Sequence, residues 1–193
     1  MARPKEFDTD VALDQAMDLF WSKGFEATSM SELVEHLGLA RQSVYDTFGD
    51  KHAIYMAALR RYCEQRMAWM VPLFRSDRPV RAVLREYLEQ TIEQVLRSEK
   101  MRGCMLINAV VGLSSDDEEA RKLVADTWKS GGREMVAMLR RAQERGEIGA
   151  HQNPSALARF FGSVMTGLLV LSKTTRDRQA LQDVADVALK ILG

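Results

Sequence analysis

The chain has 193 residues, 46% of them hydrophobic, and a formal net charge of zero, enough apolar material for one sizeable core or for a small domain plus a larger one. Its two cysteines, Cys63 and Cys104, are too few for a disulfide framework and too far apart for a Cys-x-x-Cys motif, which fits a reducing cytoplasm. No charged-then-apolar leader opens the sequence. Its longest apolar stretch, from Phe160 to Leu171, is broken by Gly, Ser and Thr and reads as too short to span a bilayer, so a soluble cytoplasmic protein with no membrane partner is expected.

In chain order, the spacing predicts a first helix over Thr9 to Lys23, capped by Asp8, burying Leu13, Ala16, Met17 and Phe20, and ended by Gly24. Residues 29–51, SMSELVEHLGLARQSVYDTFGDK, then spell a helix, a glycine turn and a second short helix. Ser29 and Glu32 stand in capping-box spacing, and Leu33, Val34 and Leu37 form the buried stripe. Gly38 supplies the permissive backbone for the turn. The second helix starts at Ala40 or Arg41. Val44 and Phe48, at i and i+4, face inward and leave Arg41, Gln42, Ser43, Asp46 and Thr47 outward.

A fourth helix begins at Asp50 and is expected to stop before Pro72, with Tyr55, Leu59, Tyr62, Cys63, Met67 and Met70 on its stripe. Residues 75–79 make the clearest loop. A strongly amphipathic fifth helix follows, on Val80, Leu84, Tyr87, Leu88, Thr91, Ile92 and Val95, and a shorter sixth covers about Arg102 to Leu113. Ser115 and Glu118 repeat the capping-box spacing ahead of a long seventh helix, whose end is flanked by Gly146 and Gly149. Asn153 and Pro154 open an eighth, and Asp177 opens the last. Helix signals run almost throughout and alternating strand patterns hardly occur, so the fold class is all-α with about nine helices.

The ordered set Ala16, Leu19, Phe20, then Lys23-Gly24-Phe25-Glu26-Ala27-Thr28-Ser29, then Gly38-Leu39, then Ser43-Val44-Tyr45-Asp46-Thr47-Phe48-Gly49-Asp50-Lys51 resembles the TetR/AcrR family of bacterial transcriptional regulators. The resemblance is specific over Thr9 to Leu59 and diffuse beyond. It implies an N-terminal helix-turn-helix domain over residues 1–50 and a C-terminal ligand-binding and dimerisation domain over residues 51–193. It further implies a homodimeric repressor that leaves its double-stranded DNA operator when a small-molecule effector binds.

In such a motif the N-terminal residues of the second helix point at base edges in the major groove. Arg41 can grip guanine O6 and N7, Gln42 can pair with adenine N6 and N7, and Ser43 can reach either. Tyr45 resembles the family's phosphate-contacting tyrosine. Thr47 reaches a phosphate or a base, Lys51 adds a cation beside free N–H groups, and Ser29 and Ser31 serve the neighbouring strand. Asp46 departs from the pattern, because an acid beside phosphates is repelled; it reads as accepting from cytosine N4 or as pairing with Arg41. Arg3 and Lys5 flank Pro4 as a minor-groove arm or as a disordered terminus.

Charge argues against nucleic acid: through Lys51, five cations face ten carboxylates, a net of −5. A few placed cations and helix N-termini can hold phosphates while the carboxylates lie elsewhere. The competing reading is a helical protein-interaction module that has lost DNA binding.

One reading helix covers only a few base pairs, so two copies on a two-fold axis are expected, about 34 to 36 Å apart or more. The eighth helix is apolar on more than one side, which points to a dimer interface of Phe160, Phe161, Val164, Leu168, Leu181, Val184 and Ala188. Candidate effector contacts are Trp69, Met70, Tyr87, Cys104, Met105, Asn108, Trp128 and Met165, suited to a small apolar or aromatic ligand. Cys104 reads either as a reactive thiol near a helix N-terminus, as in some members of the resembled family, or as a small buried hydrophobe. His36, His52 and His151 are scattered, so no metal site, cofactor or catalytic constellation is expected, and no enzymatic activity.

Overall fold

A computed structural model describes residues 7–98, 100–112 and 117–193. Among these residues there are nine α-helices and no strand: α1 (Thr9–Lys23), α2 (Met30–Leu37), α3 (Arg41–Phe48), α4 (Lys51–Arg75), α5 (Val80–Arg97), α6 (Met105–Gly112), α7 (Glu118–Glu144), α8 (Pro154–Leu171) and α9 (Arg178–Leu189). A single 3-10 turn follows at Lys190–Leu192.

Local chemistry sets most of the boundaries. Asp8 accepts from the backbone N–H groups of Asp10 and Val11, and Asp177 from those of Gln179 and Ala180, so each closes the open start of its helix. Asn153 Oδ1 does the same for Ser155 and Ala156, at 2.9 and 3.2 Å. Asn153→Ala should therefore cost about 0.5–2 kcal/mol in a denaturant or thermal melt, whereas a change within experimental error would show that this cap contributes nothing.

Three expectations change. Pro72 lies inside α4, which continues to Arg75. A proline there removes one hydrogen bond, to the carbonyl of exposed Ala68, and buried Leu73 and Phe74 anchor the last turn. The start of α7 is capped by Asp117, whose Oδ1 accepts from Ala120 N–H at 3.0 Å; Ser115, the expected cap, lies outside the described residues, as do Arg3, Lys5 and Leu113. The α2 box is half formed. Ser29 accepts from Glu32 N–H at 3.1 Å, but the Glu32 carboxylate pairs with Lys23, and that bond holds it below the usual carboxylate range.

The chain divides into two compact units, the first comprising the N-terminal residues through Glu64 with Met105–Val124, the second Gln65–Cys104 with Ala125–Gly193. The break between these units falls within α4, because the first half of α4 belongs with α1. Arg61 of α4 grips Asp14 through two nitrogens and reaches Asp10 at 3.1 Å, and Trp21 packs edge-on against Tyr62. Tyr55 is held against Phe20 and Phe25, and its burial pushes the phenol well above its ordinary value. The first turn of α7 is tied into the same unit, with Asp117 Oδ2 at 3.1 Å from His52 Nε2 and Glu119 paired to Arg60.

In the second unit α9 packs against α5 and α8. Its core is built on Val83, Leu84, Leu88 and Ile92 of α5, Phe161 and Leu168 of α8, and Leu181 and Leu189 of α9. Arg81 closes the chain's end by donating to the carbonyls of Leu189 and Gly193 at 3.1 and 2.9 Å. Helix α8 is not broken by Gly162, Ser163, Thr166 or Gly167. At 18 residues it is long and apolar enough, by length and composition, to cross a bilayer, contrary to the sequence expectation. Thr166 turns its hydroxyl back onto the Gly162 carbonyl at 3.0 Å, so a polar residue is satisfied without interrupting the helix.

Candidate nucleic-acid interface

Helices α2 and α3 are joined by Gly38 at φ 63°, a left-handed conformation that glycine adopts without the Cβ penalty. Val44, fully buried, is the anchor that α3 sinks into the unit. Phe48 is half-buried and lies against Phe7, ring centroids 6.4 Å apart. The opposite side of α3 is open, with Arg41, Gln42, Tyr45 and Asp46 exposed and Ser43 and Thr47 half-buried.

Two i,i+4 pairs organise that open side. The Arg41 guanidinium lies over the Tyr45 ring, 5.6 Å from its centroid, and donates to the Tyr45 hydroxyl at 3.4 Å. Gln42 Nε2 donates to Asp46 Oδ1 at 2.7 Å, so Asp46 pairs with Gln42 and not with Arg41. Sequence reasoning did not register either pairing as such, although both are legible in the spacing.

Ser29 and Ser31, before and at the start of α2, are exposed, but the Ser29 hydroxyl is engaged as the cap. Lys51, at the start of α4, turns inward: its ammonium lies 4.2 Å from the Phe25 ring centroid and donates to the Phe25 carbonyl at 3.1 Å.

The acidic excess of this region has a structural account. Asp8 and Asp50 cap helices, Asp10 and Asp14 hold Arg61, Glu32 holds Lys23, and Asp46 holds Gln42. Carboxylates engaged in caps and ion pairs carry local structural duties, so the net count alone is a poor guide to what α3 faces.

Of the expected effector contacts, Tyr87 is buried, with Trp69 stacked on it at 5.5 Å and Phe74 edge-on at 5.0 Å. Burial pushes the Tyr87 phenol upward, offset in part by the Arg66 guanidinium, which bonds to it and also lies 5.4 Å over the Trp69 ring. Trp69 Nε1 donates to Gln90. Met70 reaches toward Gly131 of α7, where an added Cβ would stand 2.8 Å from the methionine methyl. Cys104 and Met165 are buried in the same unit, whereas Met105 and Asn108 belong to the other. Trp128 is 48% exposed. Arg66, Phe74 and Gln90 were not anticipated; Phe74 lies beyond the proline that was expected to end α4.

The expected dimer face is divided. Phe161, Leu168, Leu181 and Ala188 are buried within the chain itself, because the α8 stripe through Leu157, Phe161, Met165 and Leu168 is the one turned to α5 and α9. Phe160 and Val184 are exposed and Val164 is half-buried. Val170 and Leu171 of α8, together with Val187 and Ile191, extend the exposed apolar set.

Residues 12–58 match the family model described as bacterial regulatory proteins, tetR family, and residues 80–188 match a tetracyclin repressor-like C-terminal domain. Among relatives, the chain is 34% identical to the uncharacterized HTH-type transcriptional regulator YezE of Bacillus subtilis (strain 168), over all of both chains. It is 30% identical to the HTH-type transcriptional repressor ComR of Escherichia coli (strain K12), over 98% of this chain and 90% of that one. Its fold is similar to that of the regulator CifR, solved as a cysteine mutant with 26 bp of double-strand operator DNA, at a TM-score of 0.89, 28% identity and 100% coverage of both chains. With helix-turn-helix, C-terminal domain and full-length relatives in agreement, the chain belongs to the TetR family of bacterial transcriptional regulators.

Proposed function

We propose that the protein is a ligand-responsive repressor that binds its operator as a homodimer, with α3 of each subunit in the major groove. The observation that carries this reading is α3 itself, an eight-residue helix sunk into its unit by Val44 while Arg41, Gln42, Tyr45 and Asp46 stand exposed. Arg41, Gln42 and Ser43 read base edges; Tyr45, Thr47 and Ser31 hold the flanking phosphates, while Lys51 and the Ser29 hydroxyl, engaged with Phe25 and the α2 cap, support the motif from within. The exposed Phe160, Val184 and Val187, with half-buried Val164 beside them on α8, form the dimer face.

The effector binds in the second unit beside the stacked Trp69 and Tyr87, with Met70, Cys104 and Met165 near it. A small aromatic or apolar molecule suits these side chains. Release requires the effector to favour the DNA-incompetent arrangement, with a coupling of order 1–3 kcal/mol.

A mobility shift with the protein's own upstream DNA tests the reading. Sequence-specific binding is expected, with affinity falling linearly on a log–log plot against salt as counterions are released. Binding no tighter than to random DNA at every salt concentration would favour an interaction module instead.

A further inference from the structure

We propose that Asp46 is a positioning residue that sets the hydrogen-bonding polarity of Gln42 and so makes the α3 surface select adenine and reject guanine at the base pair Gln42 faces. This rests on the reading of α3 as the operator-reading helix.

A glutamine on an exposed helix can present its amide either way round, and the two ends differ only in being donor or acceptor. An ionised carboxylate accepts and never donates. Asp46, one turn along α3, therefore engages only the Nε2 end of Gln42, and the 2.7 Å bond is that contact. Only one of the two amide hydrogens is used. The other hydrogen and Oε1 remain as an adjacent donor and acceptor, the complement of adenine N7 and N6. Guanine offers acceptors at both N7 and O6, so Oε1 would face O6 lone pair to lone pair, with the Asp46 carboxylate adding to the repulsion. Thymine satisfies only the remaining N–H, through O4, and cytosine satisfies only Oε1, through N4.

The pair is also pre-organised. Both side chains are exposed, and among the described residues Asp46 is the partner of the Gln42 amide, so Asp46 orders it before DNA arrives. Arg41, the neighbouring cation on α3, is held instead by Tyr45. The like spacing gives α3 two separate pairs, one cationic and suited to guanine, the other selecting adenine.

The experiment uses full-length protein and an operator fragment recovered by genomic binding selection, with each base pair of one half-site substituted in turn and affinity measured at one salt concentration. Wild type is expected to show one position where adenine is preferred over guanine by about tenfold or more. Gln42→Ala should erase that preference. Asp46→Ala should reduce it to within a few-fold at the same position only, while raising affinity for random DNA because a charge facing phosphate is gone. Asp46→Asn, whose amide can donate as well as accept and so no longer fixes which end of Gln42 faces the base, should reduce the preference as Asp46→Ala does, and Gln42→Ala with Asp46→Ala should lose no more than Gln42→Ala alone.

Circular dichroism and a thermal melt on each variant check that the overall fold is retained. An unchanged adenine-to-guanine ratio in Asp46→Ala would overturn this inference while leaving the operator reading standing. Absence of sequence-specific binding by the wild type would overturn both.

Discussion

Replacing Phe160 and Val187 together with aspartate is expected to convert the protein to a monomer and to weaken operator binding by roughly 10²- to 10⁴-fold, the advantage that tethering a second site confers. Both side chains lie on the open side of their helices, 37% and 63% exposed, so the substitutions leave the packed stripe of α8 and α9 in place. In a dimer they would bury two charges per subunit against apolar partners, a cost that association cannot absorb. Sedimentation should report the mass of one chain, with helix content by circular dichroism retained and a melting temperature that is lower and no longer depends on protein concentration. A variant that remains dimeric would move the interface elsewhere on the molecule. A wild-type monomer would end the two-fold reading of the operator altogether.

The second large effect is expected at Arg41. If its guanidinium grips a base in each half-site, Arg41→Ala removes one such grip twice, for a loss of about 2–6 kcal/mol across the dimer at about 1–3 kcal/mol for each. Its present bond to the Tyr45 hydroxyl is long, at 3.4 Å, and lies at the surface, so little is given up when DNA replaces it. Base specificity should relax at the contacted position. A lost phosphate contact would instead weaken all sequences alike and lower the salt slope by about one. Arg41→Lys separates the two further, since lysine keeps the charge but not the two-pronged geometry. Uniform weakening would reassign Arg41 to the backbone, and no weakening would remove it from the interface.

Much of the helix-turn-helix was legible because its determinants are local. Asp8, Ser29, Gly38 and the Val44/Phe48 spacing act within a turn or two of chain, so reading residues in order suffices to place α1, α2 and α3. The same holds for Asn153 and Asp177 at the heads of α8 and α9. Pro72 and Asp117 show where this reasoning stops. A proline in the last turn of a helix costs one hydrogen bond, and buried Leu73 and Phe74 outweigh it, yet their burial depends on neighbours that are remote in sequence. Asp117 does two things at once, with one oxygen on Ala120 and the other beside His52, 65 residues away.

Sequence alone determined the helical class, the order of the helices, the reading motif and the family, because each rests on spacing within a few residues. Tertiary structure decided which side of each apolar helix is core. On α8 apolar residues lie all around the axis, and the neighbours α5 and α9 bury Phe161 and Leu168 while leaving Phe160 and Val170 open. It also decided what some of the carboxylates do: Asp14 belongs to Arg61, 47 residues on, and Asp117 reaches His52, 65 residues away. The physical reason is the same in both cases. A cap or a turn is settled by the backbone beside it, whereas burial and ion pairing are settled by which distant surfaces meet.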